Sequence, residues 1–215
     1  AAAASVAENT SAVLTVVATD ADLPGDTLSY SIVAGGDSAL FTIVAATGAL
    51  SFLAAPNFEA PADAGTDNVY DVQVRASDGT NTTDQSIAVT VTAVNDNNPV
   101  ITSAAVASVA ENTSAALTVV ATDADLPGDT LSYSIVGGAD AAKFTIVSAS
   151  GVLSFVAAPN FEIPTDAGAN NVYDVQVRAS DGTNVVNQNI AVTVTAVNDN
   201  NPLFTSAAAA NVAEN

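Results

Sequence analysis

Ala93-Val94-Asn95-Asp96-Asn97-Asn98-Pro99 recurs unchanged as Ala196-Val197-Asn198-Asp199-Asn200-Asn201-Pro202. Each copy follows an alternating apolar run, sets amide and carboxylate side chains in a row, and closes on a proline, which cannot continue a central strand. The stretch therefore reads as a joint between folded units, with oxygen donors at the handover. The two copies lie 103 residues apart, and the rest of the chain keeps that step: Glu8 recurs as Glu111, Asp20 as Asp123, Tyr30 as Tyr133, Arg75 as Arg178 and Asp78 as Asp181. Val212-Ala213-Glu214-Asn215 opens the pattern of Val6-Ala7-Glu8-Asn9 once more. The expected division is one repeat over 1–98, a second over 99–201 and the start of a third at 202–215, as in a piece of a longer array.

Working outward from the joint, Ile87, Val89 and Val91 alternate with Ala88, Thr90 and Thr92 and predict a strand that runs into it. Before it, Tyr70, Val72, Val74 and Ala76 point one way and Asp71, Gln73, Arg75 and Ser77 the other, the pattern of a half-buried strand. Leu50-Ser51-Phe52 and Phe41-Thr42-Ile43 flank Thr47-Gly48 as a hairpin. Leu28 to Ile32 and the β-branched run Val13 to Thr19 give two more strands, separated by the Pro24-Gly25-Asp26 turn. The alanine-rich Ala1 to Val6 is short, lacks a helical apolar face and reads as the first strand. Seven short strands per repeat predict an all-β chain of two tandem β-sandwiches.

At 49% hydrophobic residues the composition is globular, while 23 acidic residues against three basic ones (Arg75, Lys143, Arg178) leave a net charge of −20. Nucleic acid is not expected as a partner, and anionic membranes are poor ones, because both require a basic surface. Carboxylates in such excess repel one another, so a compact state benefits from salt or divalent cations, as in an extracellular medium. With no Cys, no disulfide contributes. No signal peptide, lipidation motif or apolar run of about 18 residues is evident. Membrane insertion by this segment is not expected, and a longer parent leaves room for such signals elsewhere.

If successive strands run alternately down and up, their ends sort between two poles. Glu8, Asn57, Glu59 and Asn95-Asp96-Asn97 follow downward strands, whereas Asp20, Asp22 and Asp78 follow upward ones. The lower pole of the first repeat then faces the upper pole of the second, where Asp123, Asp125 and Asp181 sit. Six carboxylates (Glu8, Glu59, Asp96, Asp123, Asp125, Asp181) thus converge with no base among them. A hard cation resolves that repulsion, and carboxylates, amides and carbonyls without His or Cys are the ligand set of Ca²⁺ rather than of Mg²⁺. The outer poles carry half-sites: Asp20, Asp22 and Asp78 at one end, and Glu111, Asn160, Glu162, Asn198, Asp199 and Asn200 at the other. Isolated acids such as Asp26, Asp37 and Asp140 read as turn residues, and the loop through Asp63, Gly65, Asp67 and Asn68 as a solvated turn rather than an ion site.

Ala7-Glu8-Asn9, Asp20-Ala21-Asp22, Tyr30-Ser31-Ile32, Phe41-Thr42-Ile43, Ala76-Ser77-Asp78-Gly79 and the joint together resemble cadherin repeats. The likeness is greatest to the cadherin-like tandem repeats of large bacterial surface adhesins. It covers both repeats over nearly their full length. It implies seven-stranded Greek-key, cadherin- or Ig-like sandwiches in an extended arrangement. By resemblance the calcium ligands are Glu8, Asn57, Glu59, the linker Val94 to Asn97, Asp123, Asp125 and Asp181. Two positions depart from the family. Ala93 and Ala196 stand where its linkers begin with Asp, and Asn57-Phe58-Glu59 stands for its Asp-x-Glu, as does Asn160-Phe161-Glu162. Both departures remove charge, so the expectation is about one to three ions held at roughly 10⁻⁴ to 10⁻³ M. There is no Trp, so tryptophan strand exchange is excluded.

The function expected on this basis is mechanical: calcium-stiffened spacer repeats of an extracellular adhesin on a bacterial surface. The partners would be neighbouring repeats of the same polypeptide, and the segment itself a monomer. The alternative is a direct adhesion module, homophilic or binding carbohydrate through Ca²⁺, but the four Tyr and seven Phe fall mostly at inward positions. An enzyme is not expected, because there is no His or Cys and no base beside the scattered hydroxyls. A glycosidase-like pair of Glu8 and Glu59 is the residual enzymatic reading. The domain-length period also lacks the short repeat of a flat ice-binding solenoid.

Overall fold

The computed structural model describes residues 2–21, 27–125 and 130–205. Asp22, the Pro24-Gly25-Asp26 turn, its copy at 127–129 and the third opening at 212–215 lie outside them. Two compact units form. Unit 1 comprises Ala1–Asn98 together with Asp123–Thr130 and Asp181–Asn184, and unit 2 comprises Pro99–Thr122, Leu131–Ser180 and Val185–Asn215. Among the described residues no helix is long and apolar enough to cross a membrane.

Unit 1 holds β1 (Ala2–Ala7), β2 (Ala12–Thr15), β3 (Ser29–Val33), β4 (Phe41–Ile43), β5 (Ala49–Phe52), β6 (Val69–Ser77) and β7 (Thr82–Thr92). One sheet has the order β1-β7-β6-β3 and the other β2-β5-β4, a Greek-key sandwich. β1 lies parallel to β7, with Ala2 opposite Ile87 and Val6 opposite Val91, while the remaining pairs are antiparallel. First and last strands therefore run the same way, as alternating strand directions require, and Glu8 ends β1 at the pole where β7 delivers the linker.

The core follows the period-two pattern. Tyr70, Val72, Val74 and Ala76 of β6 are buried with Ile87, Val89 and Val91 of β7. Phe52 stacks on Phe41 at 4.5 Å and meets Tyr70 edge-on at 5.1 Å. Phe155, Phe144 and Tyr173 repeat that triad at 4.5 and 5.1 Å in unit 2. The β4–β5 hairpin closes at Gly48, whose φ is +72° and whose missing Cβ would lie 2.2 Å from the Val16 carbonyl oxygen. Only glycine tolerates both conditions.

Unit 2 repeats the sandwich with two strands broken. Its elements are β8 (Val100–Ile101), β9 (Val106–Ala110), β10 (Ala115–Thr118), β11 (Ala121–Thr122), β12 (Ser132–Gly137), β13 (Phe144–Ile146), β14 (Val152–Phe155), β15 (Val172–Ser180) and β16 (Val185–Thr195). β8 pairs with β11, whereas β9 runs parallel to β16. The run predicted as one strand from Val13 to Thr19 likewise stops at Thr15, after a register shift between Ala12 and Leu14. Such irregularities let one strand serve two sheets at a sandwich corner.

Asp37 and Asp140 prove structural rather than merely turn-forming. Asp37 is buried and accepts the Ala64 and Asp71 amides at 2.8 Å each, pinning the 61–68 loop to β6. Asp140 does the same with Ala167 and Asp174 at 2.7 and 2.9 Å. Asp63 is buried and accepts the Asp67 and Asn68 amides at 3.0 and 3.2 Å. Its counterpart Asp166 holds the Asn170 and Asn171 amides at 2.9 and 3.1 Å, although Asn170 stands where Asp67 stood, so this loop does not need the second carboxylate.

Candidate metal centre

The site grows from the end of β1. The chain turns there through Asn9 at φ +61°, and Glu8 is only 2% exposed. Its carboxylate accepts the Phe58 amide at 2.8 Å and the Val94 amide at 2.7 Å, so one buried acid ties the loop after β5 to the linker after β7. Glu8, Glu59 and Asp96 each bring an oxygen within 4.8 Å of the others. Asp96 takes hydrogen bonds from Asn9 Nδ2 at 2.5 Å and from Asn97 Nδ2 at 2.9 Å.

Unit 1 adds more acids from the loops at 123 and 181. Asp125 is buried and accepts the Asn97 amide at 2.9 Å and Asn97 Nδ2 at 2.7 Å. Asp123 Oδ1 accepts the Asp125 amide at 3.1 Å. Asp181 Oδ1 receives the Thr183 and Asn184 amides at 2.7 and 2.6 Å. Asn184 Nδ2 then reaches Asn95 Oδ1 at 3.0 Å and the Asn97 carbonyl at 2.9 Å, bonding the 181–184 loop to the linker.

Four oxygens in this assembly, Glu59 Oε1 and Oε2, Asp123 Oδ2 and Asp181 Oδ2, are buried and accept no hydrogen bond. Burial pushes the Glu59 carboxyl above its ordinary value, and the charges of Glu8 and Asp125 push it further; the nearness of its own backbone amide offsets this only in part. Burial also opposes ionisation of Asp125, but the Asn97 side-chain and backbone donors outweigh it and hold that carboxyl low. At Asp181 burial is likewise outweighed, here by the Asn184 and Thr183 amides. The basic residues give little relief: Arg75 is paired with Asp84 at 2.7 Å, and Arg178 donates to Asn187 at 3.0 Å. Buried anionic oxygens without donors are costly unless a cation faces them. The donor set, oxygen throughout, fits a hard divalent ion.

Unit 2 provides a control. Glu111, Glu162 and Asp199 again lie within 4.8 Å of one another, with Glu111 accepting the Phe161 and Val197 amides at 2.8 and 2.7 Å. Those two amides hold the Glu111 carboxyl below its usual value despite burial. Asn112 Nδ2 and Asn200 Nδ2 donate to Asp199 at 2.6 and 2.8 Å. Glu162, Asn198 and Asn200 are exposed, whereas Glu59, Asn95 and Asn97 are half-buried. The triad of acids therefore forms from one repeat's own residues, and the loops at 123 and 181 accompany its burial in unit 1.

Other sequence-predicted residues are placed differently. Asn57 is exposed and its Oδ1 accepts the Ala60 amide at 2.9 Å, as Asn160 does for Ile163 at 2.9 Å. Val94 contributes its amide to Glu8. Asp78 accepts the Asn81 and Thr80 amides at 2.6 and 2.7 Å, which hold its carboxyl low, and shares a cavity wall with Asp20. Sequence reasoning missed Asn9, Asn112 and Asn184 as donors that organise the acids. The recurrence of Asp-Gly-Thr-Asn at 78–81 and 181–184 was the signal available for Asn184.

The Cadherin domain family matches residues 2–94, and the Bacterial Ig domain family matches residues 95–195. Because the two halves repeat one sequence in register, the two matches describe one kind of sandwich. Human Protocadherin Fat 1 is 30% identical over 204 residues, or 89% of this chain and 4% of that protein. Mouse Cadherin EGF LAG seven-pass G-type receptor 2 is 34% identical over 207 residues, or 90% of this chain and 7% of that protein. The chain thus spans only a small part of the curated relatives it matches. Among solved structures, human Protocadherin-24 EC1-2 superposes with a TM-score of 0.72 at 21% identity, covering 91% of this chain and 94% of that one. Mouse Cadherin-23 EC22-24 gives 0.65 at 24% identity, covering 91% and 62%. At those identities the superpositions speak to fold, and the family matches carry the relationship. By the matched domain, the relatives and the register of its two halves, the chain is a tandem of cadherin-family repeats.

Proposed function

We propose that the chain is a calcium-stiffened spacer segment of an extracellular adhesin, secreted or anchored at a bacterial surface. Glu8, Glu59, Asp96, Asp123, Asp125 and Asp181 would hold the ion or ions. The observation that carries this reading is the set of buried carboxylate oxygens with no donor on Glu59, Asp123 and Asp181. A bound divalent ion supplies the positive charge that the chain lacks there. The protein's own part is to fix the ligands: the Phe58 and Val94 amides orient Glu8, Asn97 orients Asp125, and the Thr183 and Asn184 amides orient Asp181. These acids come from both sequence repeats, so an ion held by all of them ties one repeat to the next, and its removal leaves like charges to drive them apart.

The test is small-angle X-ray scattering with millimolar Ca²⁺ and with a chelator, beside a melting curve for each state. A stiffer particle with a raised Tm in calcium supports the spacer. Identical profiles and identical Tm values would mean that the acids hold no ion of consequence, and would move direct adhesion to first place.

A further inference from the structure

A cavity recurs at the same place in each sandwich, and its lining has diverged between the two copies. In unit 2 it holds about 450 Å³ beside the short 3₁₀ turn Ala141–Lys143. Its walls are Lys143, Val156, Pro159, Asn160, Ile163 and Thr165, with three alanines between them. The counterpart in unit 1, about 260 Å³, is walled by Leu40, Leu53, Pro56, Asn57, Ala60 and Ala62. No residue after Tyr70 lines that counterpart, although a whole repeat follows it in the chain, so the cavity belongs to the repeat itself. The proline and the asparagine are common to both copies. Leu40, however, becomes Lys143, Leu53 becomes Val156, Ala60 becomes Ile163 and Ala62 becomes Thr165. Two of these changes put a cation and a hydroxyl where unit 1 has hydrocarbon side chains.

Lys143 is the chain's single lysine and forms no ion pair among the described residues. Its backbone is fixed from both sides, because its amide donates to the Asp140 carbonyl and its carbonyl accepts the Val156 amide, each at 2.8 Å. Asp140, the acid nearest to it in sequence, is occupied by the Ala167 and Asp174 amides. Asn160 Oδ1 is taken by the Ile163 amide, and its Nδ2 has no acceptor among the described residues. The Thr165 hydroxyl lies 3.4 Å from Tyr173 OH. Val156 and Ile163 are 68% and 69% exposed, which leaves apolar surface uncovered beside the cation. We propose that the unit 2 cavity binds a small carboxylic acid with an apolar body, its carboxylate meeting Lys143 and its hydrocarbon part covering Val156 and Ile163. A largely apolar hollow of this size with a few polar groups is the usual form of a small-molecule site. One cation on a chain of net charge −20 suits a single negative charge; a phosphate or a polyanion is repelled by the surrounding field. A ligand of about eight non-hydrogen atoms in so open a site binds with a dissociation constant on the order of 10⁻³ M. None of Lys143, Val156 and Ile163 belongs to the Glu111, Glu162 and Asp199 triad, so this binding does not rest on a metal ion.

The experiment is a ¹H–¹⁵N NMR titration of the 215-residue chain with sodium hexanoate, beside its uncharged counterpart hexanamide, in chelator and again in millimolar Ca²⁺. Hexanoate should shift the amides of residues 142–143 and 156–165 in both media and saturate in the millimolar range. Hexanamide should bind the same residues about fivefold more weakly, since it lacks the charge. Lys143→Leu, which restores the unit 1 residue, should bring hexanoate down to the level of hexanamide, and Lys143→Arg should keep the preference. Ile163→Ala should weaken both ligands alike. Lys143 and Ile163 are exposed, so the rest of the spectrum should stay in place for every variant. A spectrum that hexanoate leaves unchanged overturns the proposal, as do shifts spread over the exposed valines of both units. Equal affinities for acid and amide overturn it too, as does a preference for the acid that survives Lys143→Leu. Hexanoate binding that appears only with Ca²⁺ would also overturn it, and would assign the carboxylate to a bound ion instead.

Discussion

Glu8 and Glu59 are neighbouring acids with opposite support, since Glu8 receives two backbone amides and Glu59 receives no donor on either oxygen. Glu8→Ala therefore leaves the part-buried Phe58 and Val94 amides without their acceptor. It should cost about 1–3 kcal/mol by urea denaturation with or without metal. Glu59→Gln should do the reverse in chelator, raising Tm by about 2–4 °C, and should shrink the gain on adding Ca²⁺. The pH dependence carries the same signature. Glu59 binds its proton more tightly folded than unfolded, so without metal it removes stability as pH rises from its ordinary 4.5 through the raised value. Asp125 and Asp181 have lowered values, so their contribution is present above the ordinary 3.8 and is lost on acidification below it. Urea midpoints from pH 3 to 7 should show Glu59→Gln abolishing the fall above pH 4.5 while leaving the acid limb in place.

At the scale of elements, the β4–β5 hairpin is held by a glycine with two separate constraints. Gly48→Ala meets both a positive φ and the Val16 carbonyl at 2.2 Å, whereas Gly79→Ala, at φ +98°, meets no atom within 4 Å. The first substitution should destabilise by about 2 kcal/mol or more and the second by about 1 kcal/mol, a difference readable in urea midpoints. The hairpin, β6 and the aromatic triad were legible because one face of each is buried and period two follows. The polar half of β7 was not: Thr82 to Ser86 are all exposed, yet they pair with Val74 to Ser77 and with Gln73 of β6 in unbroken register. A strand with neither face buried leaves no alternation to read. The break after Thr15 was hidden for the converse reason, since β-branched residues suit either sheet at a corner.

For the molecule as a whole, a net charge of −20 with three basic residues makes stability sensitive to counterions. Adding NaCl in chelator should raise Tm gradually by screening. Millimolar Ca²⁺ should raise it further at constant ionic strength, because site binding adds to folding free energy as ligand exceeds its dissociation constant. Equal effects of Ca²⁺ and of ionic-strength-matched NaCl would point to general screening alone.

The amino-acid order by itself determined the repeat, the alternating strands, the glycine turn and the grouping of acids at strand ends, since each depends on local pattern and on the direction in which a strand leaves the sheet. Tertiary structure decided what those acids do. It set Asp37 and Asp63 to clamp loops, turned the Asn57 oxygen to the Ala60 amide, recruited Asn9 and Asn184 as donors, and left Glu59, Asp123 and Asp181 with buried oxygens unmatched. Sequence can place a carboxylate at a pole. Whether it meets an amide, another carboxylate or neither depends on how residues far apart in the chain approach within hydrogen-bonding distance, which only the folded chain specifies.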